Sequence, residues 1–396
     1  MGWLSIQPER VAAVPGAPDP PLTVRADART LTVGVGRDAV VAWDRAGRLF
    51  SAWLAGHTWR RGLNGSTLHK WSDGRGRHRE RAPAAAVDRL LDRTAALAAR
   101  VRDGAADGPG RELLDRAARF DAAAGRADAA RFLAIFPDVG ILPPDQYLAT
   151  LVQLTRGCSH GTCTFCDLYD APFRVRTPRE FGQHLAVVRE FMNGSLALRG
   201  RSVFLGAANA LALPASRLRG ALDAIGDAFG GRPAVSSFVD ALRGARHSAA
   251  EYRELGARGL DRVYIGLESG HDPLLAFVRK PGTSADAVET VLAIKEGGLR
   301  VGIVVLVGLG GDRFDAPHTS DTVHLLNAMP LGAGDIVYFS DLVDGGTVYR
   351  ADATRAGLRA LTSTEREAQR LRIRNGLQFA GAAPRLARYD VREFVY

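Results

Sequence analysis

A chain of 396 residues with 46% apolar side chains is long enough for two or three domains, or for one large α/β domain with additions. The first residues lack a basic patch followed by an apolar run, and the most apolar stretch, Gly302 to Gly310, is far too short to cross a bilayer; the expectation is a soluble cytoplasmic protein. The net charge of +9 does not single out nucleic acid, because all but three of the 52 basic residues are arginine, as a GC-rich coding sequence gives, and they are spread along the chain.

In chain order, residues 1–21 are rich in Pro, Ala and Gly and read as an irregular lead-in. Short β-like runs follow at 22–25, 30–35, 39–43 and 49–53, with Gly47 in a hairpin connection, which predicts a small antiparallel sheet. Residues 73–81 read as a loop; its basic run Arg75 to Arg81 reads as a solvated segment rather than a phosphate site. Val87, Leu90, Leu91, Thr94, Leu97 and Val101 then share a helix face, and two further helices are expected at about 111–123 and 128–136. Pro143-Pro144 closes this N-terminal α+β accessory region, residues 1–145, in which no glycine-rich phosphate loop or cobalamin-type pattern is present.

From Leu148 the rhythm changes to strand, loop, helix. Strands are expected at 149–154, 202–206, 234–239, 262–267, 300–307 and 335–340, with helices between them. The aliphatic run at 300–307 suits a strand buried on both faces. Six such units over 146–345 predict an α/β fold, a six-stranded partial (β/α)6 TIM-like barrel open on one side. Residues 346–396 are expected to add a helical extension, with one helix at about 363–376.

All the cysteines of the chain, Cys158, Cys163 and Cys166, lie in one loop after the first of these strands. Three thiols this close point to metal, either zinc in a Cys3His site with His160 or an iron–sulfur cluster. An odd number of cysteines without a secretion signal argues against a disulfide. The loop falls at the carboxyl end of its strand, where parallel α/β folds gather their sites.

A Cys-x4-Cys-x2-Cys run on the first barrel loop, with Phe165 before the last cysteine, resembles the radical S-adenosylmethionine (SAM) enzymes, whose usual spacing is one residue shorter. The segments Gln153 to Cys158, Cys163 to Cys166, Tyr264 to Gly270 and Val307 to Gly311 resemble the branch that includes the elongator catalytic subunit and the tRNA methylthiotransferases. The resemblance implies one [4Fe–4S] cluster on Cys158, Cys163 and Cys166, with SAM chelating the remaining iron. It implies Phe165 beside the adenine, and Gly206 and Asn209 in the segment that meets the methionine amino group, where the family's usual glutamate is missing. It also implies Glu268 hydrogen-bonded to the cofactor, Lys280 or Arg279 at the methionine carboxylate, and Gly308 and Gly310 against the adenosine. Arg174 and Arg176 are candidates for an anionic group, His160 reads as a loop residue, and Tyr338 is a candidate hydrogen donor. With no cysteine to spare, no cysteine-ligated second cluster is expected. The implied partners are a small-molecule substrate and an electron donor such as flavodoxin or ferredoxin, with no membrane. RNA as substrate and a non-enzymatic zinc module are the alternatives.

Overall fold

The computed structural model describes residues 21–169, 171–240, 247–344 and 348–396; the expected lead-in over 1–21 lies outside these but for its last residue. The chain first lays down seven antiparallel strands in sequence order: β1 (Leu22–Ala26), β2 (Thr30–Val35), β3 (Ala39–Asp44), β4 (Leu49–Leu54), β5 (His57–Arg61), β6 (Thr67–Asp73) and β7 (Gly76–Arg81). Alternation sends Leu31, Val33, Val41 and Trp43 inward, where they meet Val87, Leu91, Ala98 and Val101 of α1 (Ala84–Asp103). β6 and β7 correct the loop expected at 73–81: the polar, arginine-rich sequence of β7 hides its strand character, and the segment is a hairpin, with Asp73 paired to Gly76. Two further helices follow, α2 (Pro109–Ala118) and α3 (Ala122–Ile135), the second capped by Asp121, whose side chain accepts from the Ala124 N–H.

The second sheet is parallel throughout and holds seven strands, one more than the six expected. Its elements run β8 (Thr150–Gln153), a two-residue pair β9 (Thr155–Arg156) and β10 (Arg174–Val175), α4 (Pro178–Met192), α5 (Leu196–Arg199), β11 (Ser202–Gly206), α6 (Ala215–Phe229), β12 (Ala234–Val239), α7 (Ala249–Gly256) and β13 (Leu260–Glu268). They continue with α8 (Asp272–Phe277), α9 (Ser284–Glu296), β14 (Arg300–Val307), α10 (Gly311–Ala328), β15 (Ile336–Asp341), α11 (Val348–Arg355), α12 (Ser363–Gly376) and β16 (Arg385–Tyr389). The strand order is β16-β15-β14-β13-β12-β11-β8. β16 pairs parallel to β15 from Ile336↔Arg385 to Ser340↔Tyr389. Its Arg-Leu-Ala-Arg-Tyr sequence is only half buried, so it lacks the aliphatic signature of β14.

Side-chain caps fix several helix starts. Ser248 with Glu251 and Thr362 with Glu365 form reciprocal capping boxes at α7 and α12, and Thr177 with Glu180 forms another at α4. α10 starts at Gly311, directly after Gly310, and accommodates Pro317 within its second turn. At the amino ends of the strands, Tyr264 donates to Asp145 Oδ2 at 2.6 Å and Tyr338 to Oδ1 at 2.8 Å. Gly302 makes the Tyr264 position possible, since a Cβ there would sit 2.2 Å from the ring.

Candidate active site

The cysteine loop leaves β9 and is held on several sides. The Gly157 N–H and the Arg156 Nε donate to Asp138, both at 3.3 Å. Thr164 donates its N–H to the carbonyl of Val278 at 3.0 Å and accepts at its own carbonyl from the Tyr349 N–H at 2.9 Å. The Asn209 amide donates to Ser159 Oγ at 3.1 Å and accepts from the Asp240 N–H at 3.0 Å, so it braces the loop against the end of β12. Gly157 has φ +65°, and a Cβ there would meet the Ala171 carbonyl oxygen at 2.2 Å as the chain returns across it. Gly161 has φ +60° with open space beside it, which absorbs the fourth residue between Cys158 and Cys163.

Cys158, Cys163, Phe165 and Cys166 line one cavity of about 200 Å³ together with Asp240, Glu268 and Lys280. All three thiols are free. Burial pushes the Cys163 thiol up to about 12, partly opposed by the positive charge of Lys280, and burial raises Cys166 as well. Among the described residues, no three His, Cys, Asp or Glu side chains are gathered as ligands of one metal ion. His160 is not among the lining residues, so a Cys3His zinc site is not assembled. A [4Fe–4S] cluster makes a different demand, one thiolate on each of three irons, and three soft donors ringing a shared cavity fit it.

The same cavity holds a buried ion cluster. Lys280 Nζ sits 3.0 Å from Asp240 Oδ1 and 3.7 Å from Glu268 Oε1, with the three side chains only 10%, 17% and 12% exposed. Burial raises the Glu268 carboxyl, and the Lys280 charge opposes that rise. Lys280 itself is raised: burial works against its charge, but Asp240 and Glu268 overcome it. The backbone builds this cluster. The β13–β14 register shifts between Gly266 and Glu268, and Glu268 has φ +60°. Gly266 clears the space, because a Cβ there would lie 2.5 Å from Glu268 Oε1. Arg279, at φ +53°, turns the chain after α8 to deliver Lys280.

The other expected site residues are not brought to the cavity. Gly206 is buried under Leu151, and its carbonyl accepts from the Leu154 N–H. Asn209 is fully buried as the brace described above. The Gly308 N–H donates to Gln369 Oε1 at 2.7 Å and the Gly310 N–H to Tyr349 Oη at 2.9 Å, so α11 and α12 cover both glycines. Tyr338 is turned to Asp145 at the opposite end of its strand, which removes it as a hydrogen donor in the cavity. Arg174 pairs with Glu180, Arg176 donates to the Gln153 carbonyl, and Arg279 pairs with Asp352. Sequence reasoning missed Asp240 and Asp341, which both line the cavity. Each stands at the carboxyl end of a parallel strand, and that position alone was the signal.

Residues 152–321 match the Radical SAM superfamily. No curated protein matches the chain in sequence. Among solved structures, the cobalamin-dependent S-adenosylmethionine radical enzyme OxsB is 17% identical, covering 56% of this chain and 30% of that one, with a TM-score of 0.36. Methylornithine synthase is 14% identical, covering 75% and 77%, with a TM-score of 0.41. The archaeal Methanocaldococcus infernus Elp3 is 12% identical, covering 61% and 60%, with a TM-score of 0.40. The matches span 30–37% of OxsB's length. No helix among the described residues is long and apolar enough to cross a membrane.

Proposed function

We propose, from the match of residues 152–321 to the Radical SAM superfamily, that this chain is an enzyme that cleaves SAM reductively and uses the resulting radical on a small-molecule substrate, with specialised metabolism as its setting. The observation that carries the proposal is one cavity at the carboxyl ends of a parallel sheet, lined by Cys158, Cys163 and Cys166 together with Glu268 and Lys280. A bound cluster and SAM would supply the chemistry, one-electron reductive cleavage of the sulfonium to methionine and a carbon-centred radical.

The protein's part is to bind, orient and shield. The three thiolates would hold the cluster and leave one iron to the methionine amino and carboxylate groups. Lys280, which lines the cavity and which Asp240 and Glu268 keep protonated, would supply a positive charge for that carboxylate. Glu268 can accept hydrogen bonds from the cofactor, and Phe165 offers a ring beside the thiols. The electron comes from outside, and a flavodoxin- or ferredoxin-type protein is the proposed donor. RNA as substrate is the weaker reading. Within the basic run, Arg79 pairs with Glu393 and Asp390, and Arg81 donates to the Phe394 carbonyl, so these two arginines clamp the chain's own tail.

The test is incubation of the anaerobically reconstituted, reduced protein with SAM, followed by chromatography for 5′-deoxyadenosine. Product is expected from the parent protein and not from Cys163→Ala. No product above that control, or a colourless zinc-loaded protein without iron, overturns the proposal.

A further inference from the structure

The cavity lining is chemically one-sided. Ile141, Phe238, Val304, Leu306, Leu342 and Val391 give it an aliphatic and aromatic wall. Leu168 and Val343, also in the lining, are 38% and 39% exposed and continue that apolar surface outward. Its charged residues, among those described, are Asp167, Asp240, Glu268, Asp341 and the single base Lys280. No arginine is among them, in a chain that carries 52 basic residues, nearly all arginine.

Lys280 is already committed to Asp240 and Glu268, at 3.0 and 3.7 Å. The cluster's thiolates add further negative charge. SAM carries an ammonium and a sulfonium against one carboxylate, so it offsets a single negative charge and leaves a surplus. An anionic substrate would enter this field without, among the described lining residues, the arginine fork that carboxylates and phosphates normally require. A cation would be drawn in, and low-dielectric walls focus that attraction.

Asp341 is the best-placed carboxylate for such a cation. It ends β15, is half-buried, and adjoins the apolar Leu342 and Val343. Arg392 is the basic group whose field reaches it. That guanidinium is itself held by Asp390, at 2.9 and 2.7 Å.

We propose that the substrate is a small molecule with an apolar body and a basic nitrogen protonated at neutral pH, bound with that nitrogen against Asp341. This rests on the reading of the cavity as a radical SAM active site. The proposal excludes phosphorylated and carboxylate-headed substrates, RNA among them.

Tryptamine and indole-3-propionate share an apolar body and differ in the sign of the charge. Their affinities for the cluster-reconstituted protein are compared by isothermal titration calorimetry. Tryptamine is expected to bind at least about tenfold more tightly, with the gap narrowing at high salt. The gap should shrink to about threefold or less in Asp341→Asn and persist in Asp341→Glu, with circular dichroism melts reporting whether each variant folds. Equal or tighter binding of the propionate, binding of neither probe, or a gap unchanged in folded Asp341→Asn overturns the proposal. The preference of the parent protein decides the charge question even if both variants fail to fold. A protein that makes 5′-deoxyadenosine but prefers the propionate refutes only the substrate class. One that prefers tryptamine but makes no 5′-deoxyadenosine refutes only the radical reading.

Discussion

Lys280 sits between two carboxylates in a nearly closed space, and its charge makes both of them tolerable there. Removing one member of a buried ion cluster costs more than the cluster contributes, because the survivors stay behind uncompensated. Lys280→Met is therefore expected to destabilise the fold by about 3–5 kcal/mol in urea denaturation and to abolish detectable SAM binding. Lys280→Arg keeps the charge and should recover most of the stability, but its planar fork does not reproduce the point charge, so SAM affinity stays low. The sequence signals only half of this cluster. Glu268 and Lys280 stand out beside recognisable segments, whereas Asp240 follows an ordinary strand and gains its meaning only when the sheet folds.

At the scale of elements, α4 is seated on the sheet through His184, whose Nε2 accepts the Gln153 N–H at 3.0 Å. Burial holds this imidazole down to about 3, with the charge of Arg176 adding to the effect. The folded value lies below the unfolded one near 6.5, so the unfolded chain binds more protons between them. The stabilisation is complete above about pH 6.5 and is lost as pH falls toward 3. His318, held to about 4 by burial, acts in the same direction. Urea midpoints measured from pH 7 down to 4 should fall, and in His184→Gln the slope should be shallower by up to one proton. The parallel elements that carry the site were readable because each strand is a compact apolar run and each helix has a cap or a break. β5, β6, β7 and β16 were not, because their identity comes from neighbours. A polar strand such as Arg385–Tyr389 becomes a strand by pairing with β15.

Across the whole molecule, the cysteine loop and the succession of the first six parallel strands were legible, while the enclosure of the site was not. Gly308 and Gly310 looked like places for a ligand to approach, and α11 and α12 occupy those approaches instead. The same segment of chain also runs back to the start of the sheet. Tyr396 is fully buried; its hydroxyl donates to the Ala149 carbonyl at 2.6 Å and accepts from the Leu151 N–H at 2.7 Å. Tyr396→Phe leaves two buried backbone groups of the first barrel strand without that partner. Its expected cost is about 1–3 kcal/mol, read as a lower urea midpoint with an unchanged m-value.

That clasp also bears on the order of assembly. Tyr396 and Leu151 are 245 residues apart in sequence, and Arg79 and Glu393 are 314 apart. Contacts of such span repay their loop-closure entropy only after most of the chain has condensed. The three cysteines, by contrast, fall within one short loop and need no distant partner to come near one another. The three thiols would therefore come together before residues 385–396 pack against the sheet, and the wall of the cavity that Tyr389 and Val391 provide would be among the last parts of the site to form.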